Sequence, residues 1–414
     1  MQLIELTISQ FDEFAANHPL RNYCQSSAYA KFMGEQGFSY DYIGYEDDSH
    51  NLVAASLILY KKIGMFKKYA YAPKGFLVDY YNVELLKSFV GEVIKRYKAR
   101  GVIFIKINPE IIVGELKPKK NFLGEYNQNF KIIDDLKELK FRRRREVEPL
   151  ELLMPRVSPY INLKKFNPEK LAPDFRNLIH YSKHKGLTLE EASSKEVSFF
   201  YEFVKDKNPL PINYYRNMLN VFGRTGMVDL LLVKVNYKEF LVQAKESYDI
   251  ELDHNNECNI RIQENANEAN LNAKMESDKL LLHLKDSIVE ATEGLKMSQA
   301  QYVAGALIIK FQNRVSIISS GHDVKFDSLQ PLHFLYNKIV EKYAADYDYV
   351  DLNGLSSDFN PGSKHFESNQ FKLGFNPTIY EFIGEFDIIL DEPGFKRLQA
   401  RNIITNEIFN QKVK

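Results

Sequence analysis

Two stretches of the chain repeat one hydrophobic rhythm. Leu52 to Leu59 is a nearly unbroken apolar run, Lys68 to Pro73 is strand-like, Val83 to Arg100 keeps apolar positions three and four apart, and Val102 to Ile107 is again a short apolar run. Val303 to Ile309, Val315 to Ile318, Leu329 to Ala344 and Tyr349 to Leu352 follow in the same order. Short apolar runs bounded by turn residues predict strands, and a 3.6-residue period predicts a helix. Each stretch therefore reads strand, strand, helix, strand. A duplicated mixed α/β unit predicts two subdomains facing each other across a cleft, a common setting for a ligand site.

Between the repeats the texture changes. From Lys238 to Gln299 there is no Pro and, apart from Gly294, no Gly. Leu241, Ala244 and Tyr248, then Leu281, Leu284, Ile288, Ala291 and Leu295, keep a three-four alternation, and Asn265 to Asn270 is an Asn-rich break. The pattern predicts an antiparallel helical coiled-coil arm. Leu241 to Ala300 carries six basic and twelve acidic residues, which argues against the arm as a phosphate clamp. The Leu281 to Leu295 seam suits a homo-oligomer as readily as an internal hairpin.

With 414 residues, two domains are expected; 44% apolar and 27% charged residues are those of a folded protein. Net charge is zero, so any contact with nucleic acid has to come from local basic patches. Those are Lys61-Lys62, Lys67-Lys68, Lys117 with Lys119-Lys120, and Arg142 to Arg145. The two cysteines, Cys24 and Cys258, match no metal or redox spacing and suit a reducing compartment. The N-terminal residues lack a signal-peptide pattern and no apolar run is long enough to span a membrane, so a cytoplasmic protein is expected, one that meets any lipid-linked substrate by peripheral contact.

No nucleophile elbow, cysteine–histidine pairing, metal-ligand spacing, Walker A loop or dinucleotide fingerprint occurs, and no cofactor is called for. What stands out is near the C-terminus. Tyr347 to Leu352 empties into Gly354-Leu355-Ser356-Ser357-Asp358-Phe359, a Gly/Ser/Asn/Pro-rich loop returns as Phe371-Lys372-Leu373-Gly374-Phe375, and Ile383 to Asp387 follows as another short strand. Read as strand-borne, Lys372 sits between aromatic residues, next to a loop of the kind that carries chemistry. A positive group placed where negative charge develops stabilises a tetrahedral oxyanion.

These C-terminal residues resemble the signature of the Fem family of peptidyltransferases. The likeness continues through Gln25-Ser26-Ser27-Ala28-Tyr29, Tyr71-Ala72-Pro73-Lys74-Gly75, Ile105 to Glu110, the basic helix from Phe175 to Gly186, and Tyr214-Tyr215. Asn108 stands where a carboxylate is common in that family, and Met33 where a Lys for a nucleotide diphosphate is common. The resemblance implies an α/β (α+β) fold of two acetyltransferase-like (GNAT-type) subdomains. Its expected boundaries are residues 1–152 for the first, 153–237 with 300–414 for the second, and 238–299 for the inserted arm. It also implies transfer of an amino acid from aminoacyl-tRNA to the stem-peptide amine of a peptidoglycan precursor, lipid-linked or nucleotide-linked. Lys372 and Phe371 would then be catalytic, Tyr71, Lys74, Arg176 and Tyr215 would bind the precursor, and Arg142, Arg143, Arg144 and Arg145 would meet tRNA phosphates. The alternative is an acyltransferase of the same fold with acyl-CoA or another activated donor, against which the absent pyrophosphate-binding turn argues.

Overall fold

A computed structural model of the protein describes residues 1–63, 67–117, 125–143, 154–207, 210–356 and 358–400. The chain opens with β1 (Gln2–Glu5), α1 (Ile8–Asn17), α2 (Ser27–Glu35), β2 (Ser39–Glu46), β3 (Leu52–Ile63), β4 (Lys67–Ala72), α3 (Val83–Ala99) and β5 (Val102–Ile107). It continues through β6 (Ile112–Leu116), β7 (Glu125–Tyr126), α4 (Ile132–Glu138), β8 (Phe141–Arg143), β9 (Val157–Asn162) and α5 (Pro173–Lys183). There follow β10 (Leu187–Ala192), α6 (Val197–Val204), α7 (Ile212–Gly223), β11 (Val228–Asn236), α8 (Tyr237–Glu264), α9 (Glu268–Met297), β12 (Ala300–Phe311), β13 (Arg314–His322), α10 (Pro331–Tyr343) and β14 (Tyr349–Asp351). The chain then makes α11 (Phe366–Gly374), β15 (Thr378–Phe382), β16 (Phe386–Ile389) and α12 (Glu392–Ala400).

The repeat is longer than the hydrophobic rhythm alone suggests. β1-α1-α2-β2-β3-β4-α3-β5 and β10-α6-α7-β11-β12-β13-α10-β14 share one order, with α8 and α9 inserted between β11 and β12. In both, the first four strands pair antiparallel in sequence order and the helix crosses over to a parallel fifth strand. The fold is mixed α/β, with sheets ordered β1-β2-β3-β4-β5-β16-β8 and β10-β11-β12-β13-β14-β9-β15-β6-β7. Each sheet is extended by strands from the other end of the chain: β16 pairs with β5, and β6 pairs with β15.

Local chemistry accounts for the elements. α3 begins at Asn82, whose side chain accepts from the Leu85 amide, and it buries Leu86, Phe89, Val90, Val93 and Tyr97 at helical spacing. Apolar β3 is buried from Ala54 to Leu59, as a strand covered on both faces must be. α8 and α9 form an antiparallel hairpin that reverses at Asn265 to Asn267: Asn255 Nδ2 donates to Ser277 Oγ at 2.9 Å, and Gly294 lies against the Tyr237 ring at its base. No helix among the described residues is long and apolar enough to cross a membrane.

One apolar cluster spans both halves, because α2 packs on α7. The Phe32 ring lies 5.0 Å from Tyr214 and 5.9 Å from Phe222, and Tyr23 meets Phe222 edge-on.

The segment around Lys372 departs from expectation. It is helix α11, not a returning strand. In a strand, Phe371 and Phe375 would stand about 13 Å apart. The helix brings their rings to 5.6 Å and fits both against Phe175 and Tyr336. Gly374 permits this, since a Cβ there would lie 2.2 Å from the Phe175 ring.

Where β16 joins β5, Lys106 is buried with its Nζ 2.8 Å from Asp387 Oδ1 and 3.2 Å from Glu385 Oε2. Removing the cation alone takes a counter-charge away from two buried carboxylates. Lys106→Met is expected to lose about 3–5 kcal/mol in urea unfolding. Adding Glu385→Gln and Asp387→Asn is expected to restore most of that loss; a triple variant no more stable than the single would refute the electrostatic account.

Candidate active site

A cleft of about 550 Å³ lies between the halves. Its first wall comes from the turn before α2, the turn after β4 and the end of β5; its second comes from β9, α7, β13, the loop after β14, and α11.

Lys372 enters from α11. Its Nζ donates to Gly354 O at 2.7 Å and also to Asn353 O. Left-handed backbone at Asn353 (φ 59°) and Gly354 (φ 27°) turns the two carbonyls onto the ammonium group. An ammonium has three donors, so one N–H remains for the cleft. Burial lowers the Lys372 pKa to about 8, with Asp351 acting in the opposite direction. Asp351 is itself engaged by Ser158 Oγ at 2.7 Å and the Asn353 amide at 2.9 Å.

Across the cleft, Lys74 is held with φ 53° by its amide donating to Asn108 Oδ1 at 2.8 Å, and its Nζ lies 4.9 Å from the centre of the Phe382 ring. Tyr71 is buried and donates to the same Asn108 oxygen at 3.2 Å. Tyr71 thus braces the turn that presents Lys74 and does not itself line the cleft. Gln25 does similar work: its amide donates to Pro73 O at 2.6 Å and accepts from the Leu57 amide at 2.8 Å.

The wall behind the cleft carries a charge pair that sequence reading did not nominate. Arg314 grips Glu110 with two N–H···O bonds of 2.9 Å, Tyr160 donates to Glu110 at 3.1 Å, and Asn22 adds a fourth bond at 2.8 Å. Burial alone would raise the Glu110 pKa, but Arg314 and Lys74 overcome it and hold it near 2. Glu110 ends the Asn108-Pro109-Glu110 string after β5, a visible signal; nothing in the sequence pairs it with Arg314, 204 residues away.

The other expected site residues scatter. Tyr215 lines the cleft from α7, its buried hydroxyl beside Ser319. Phe371, one position from Lys372 on the helix, points the other way, into the rings of His333, Tyr336 and Phe375. Arg176 lies outside the cleft, in a separate hollow beneath α5 and α10, paired with Glu169 at 2.7 Å. Arg142 pairs with Glu392, and Arg143 Nε donates to Ile383 O at 3.1 Å, both on β8 at the edge of the first sheet. Arg144 and Arg145 lie outside the described residues.

Two like α/β subdomains close on one cleft, with the half-buried Lys372 ammonium group at its floor. The chain belongs to the FemAB family, whose profile matches residues 6–402. It is 23% identical over 413 residues to a lipid II:glycine glycyltransferase of Staphylococcus epidermidis, covering 95% of this chain and 94% of that one. It is also 23% identical over 429 residues to a Staphylococcus aureus protein of the same name, covering 96% and 95%. Among solved structures, FemX superposes with a TM-score of 0.75 at 20% identity, covering 96% of this chain and all of that one, which shows the shared fold.

The Glu110 clamp predicts an acid-labile stability term. A carboxyl held near 2, below its ordinary 4.5, stabilises the fold above pH 4.5, and that stability is lost as pH falls towards 2. The shift corresponds to about 3 kcal/mol. Denaturation followed between pH 5 and pH 2 should show this loss in the wild type, and it should be smaller in Glu110→Gln combined with Arg314→Met. Equal acid sensitivity in both would contradict the assignment.

Proposed function

We propose that the protein transfers an amino acid from aminoacyl-tRNA to the stem-peptide amine of a lipid-linked peptidoglycan precursor. That it is an aminoacyltransferase follows from its family and its glycyltransferase relatives. The names of those relatives support lipid II as the acceptor. The observation that carries the chemistry is Lys372, an ammonium group clamped by two backbone carbonyls in the cleft floor.

The reaction forms one bond and breaks one. The acceptor nitrogen attacks the ester carbon, a tetrahedral oxyanion forms, and the C–O bond to the ribose breaks. The nitrogen loses a proton and the ribose oxygen gains one. Lys372 supplies positive charge to the oxyanion, and the clamp pre-pays the cost of orienting it. Lys74 on the opposite wall suits an anionic part of the acceptor, and Tyr215 shapes the pocket beside it. Glu110, saturated with donors and held near pKa 2, is a poor base, and Asn108 is none. Proton movement is therefore left to the substrates or to water.

Transfer from a mixture of labelled aminoacyl-tRNAs to lipid-linked muropeptide tests the reading: label reaches the acceptor and RNase abolishes it. Absence of transfer to lipid-linked and nucleotide-linked acceptors alike would refute it. Lys372→Met is expected to lower kcat by about 10²–10³ with little change in acceptor KM, because the charge matters most in the transition state.

The pH profile is a sharper test. Lys372 loses its charge as pH rises through about 8, so kcat should fall there, and Lys372→Arg should keep partial activity while moving the falling limb to higher pH. An unshifted limb would assign it to another group. As for the donor, Arg142→Glu should raise the KM for aminoacyl-tRNA and flatten its salt dependence; an unchanged salt slope would remove β8 from the tRNA contact.

A further inference from the structure

The four lysines flanking the β3–β4 connection take no part in the cleft. Lys62 stands directly opposite Lys68 in register, and Ile63 opposite Lys67. Side chains alternate along a strand, so Lys62 and Lys68 share one face while Lys61 and Lys67 occupy the other. Like charges directly opposed across a strand pair destabilise it. Yet among the described residues only Lys67 of these four makes an ion pair, with Asp391 at 2.7 Å. Lys61 Nζ lies 5.1 Å from the centre of the Phe38 ring, and Lys68 Nζ 5.1 Å from that of Tyr60. On the neighbouring strand, Tyr40 pairs with Leu59 and is 37% exposed. This end of the sheet therefore carries ammonium groups on both faces, set among aromatic rings. Lys74 follows the other end of β4, about 20 Å away along an extended strand.

The combination discriminates between anionic partners. Lysine is a point charge without bidentate geometry. Lys62 is exposed, and ammonium groups set against aromatic rings beside it suit the headgroup level of a membrane–water interface. Single-stranded RNA is gripped instead by ring faces open to base stacking, and here ammonium groups cover Phe38 and Tyr60. We infer that the lysine-bearing end of the β3–β4 pair docks the protein on the anionic surface of a lipid bilayer. The benefit to catalysis rests on the acceptor being lipid-linked; the docking itself does not.

Flotation of the full chain with phosphatidylcholine vesicles, with and without phosphatidylglycerol, is the test. The wild type should partition onto the phosphatidylglycerol vesicles in a salt-sensitive manner. Lys62→Gln combined with Lys68→Gln should weaken this by about 25-fold, since each lysine near an anionic surface contributes roughly a factor of five. The melting temperature should hold or rise, because two opposed charges are gone. A double variant that floats like the wild type overturns the inference. So does one that keeps vesicle binding but loses binding to labelled tRNA, which would make this end an RNA contact. Transfer to a water-soluble muropeptide should proceed at the same rate in both proteins. Failure of the wild type to transfer to any acceptor would refute the proposed reaction, while the flotation result would still decide the docking.

Discussion

The aromatic seam between α2 and α7 is the contact on which the cleft depends. Phe32 stands against Tyr214 and Phe222, and Tyr23 closes on Phe222. Such pairs contribute about 0.5–1.5 kcal/mol each beyond the area they bury. The seam sets the spacing of the two subdomains at the cleft, because Tyr214 and Tyr215 on α7 also form the cleft wall. Strand exchange reinforces it: β16 completes the first sheet, and β6 with β7 completes the second. Separating the halves would therefore mean breaking sheets as well as parting side chains.

Charge is distributed with a consistent logic. Lys106 with Glu385 and Asp387, and Glu110 with Arg314, are buried sets in which each charge has its counterpart nearby. Lys74 and Lys372 are different. They are steadied by ring and carbonyl contacts, so their positive charge stays available to the cleft. Buried ion pairs hold the walls in place, while Lys74 and Lys372, which make no ion pair among the described residues, line the cleft. The proposed transfer would use that division, because a carboxylate in ion-pair contact would compete with the oxyanion for the same cation.

Part of this was legible along the chain. The two apolar rhythms predicted the duplicated unit, and the Gly- and Pro-poor segment with its Asn-rich break predicted the α8–α9 hairpin. Lys372, Lys74 and Tyr215 were nominated from short strings and reach one cleft. Arg176 and Phe371 were nominated on the same footing and do not line it. A motif gives residues in order but not the side each one faces: on helix α11 neighbours point about 100° apart, so Lys372 enters the cleft while Phe371 packs away from it. The secondary structure of that segment was set by the aromatic pocket formed by Phe175, His333 and Tyr336, which comes from distant parts of the chain.

The sequence by itself determined what local physics can determine: periodicity, caps and turn residues, hence the repeated α/β unit, the inserted hairpin, and which lysines carry positive charge. Only the tertiary structure decided which charges are neutralised and which remain free. Arg314 meets Glu110, and Lys106 meets Glu385, across separations of more than two hundred residues, through strands brought together by the sheets. A carboxylate gripped by Arg314 and an ammonium group clamped by two carbonyls 18 and 19 residues away owe their character to neighbours that only folding brings together.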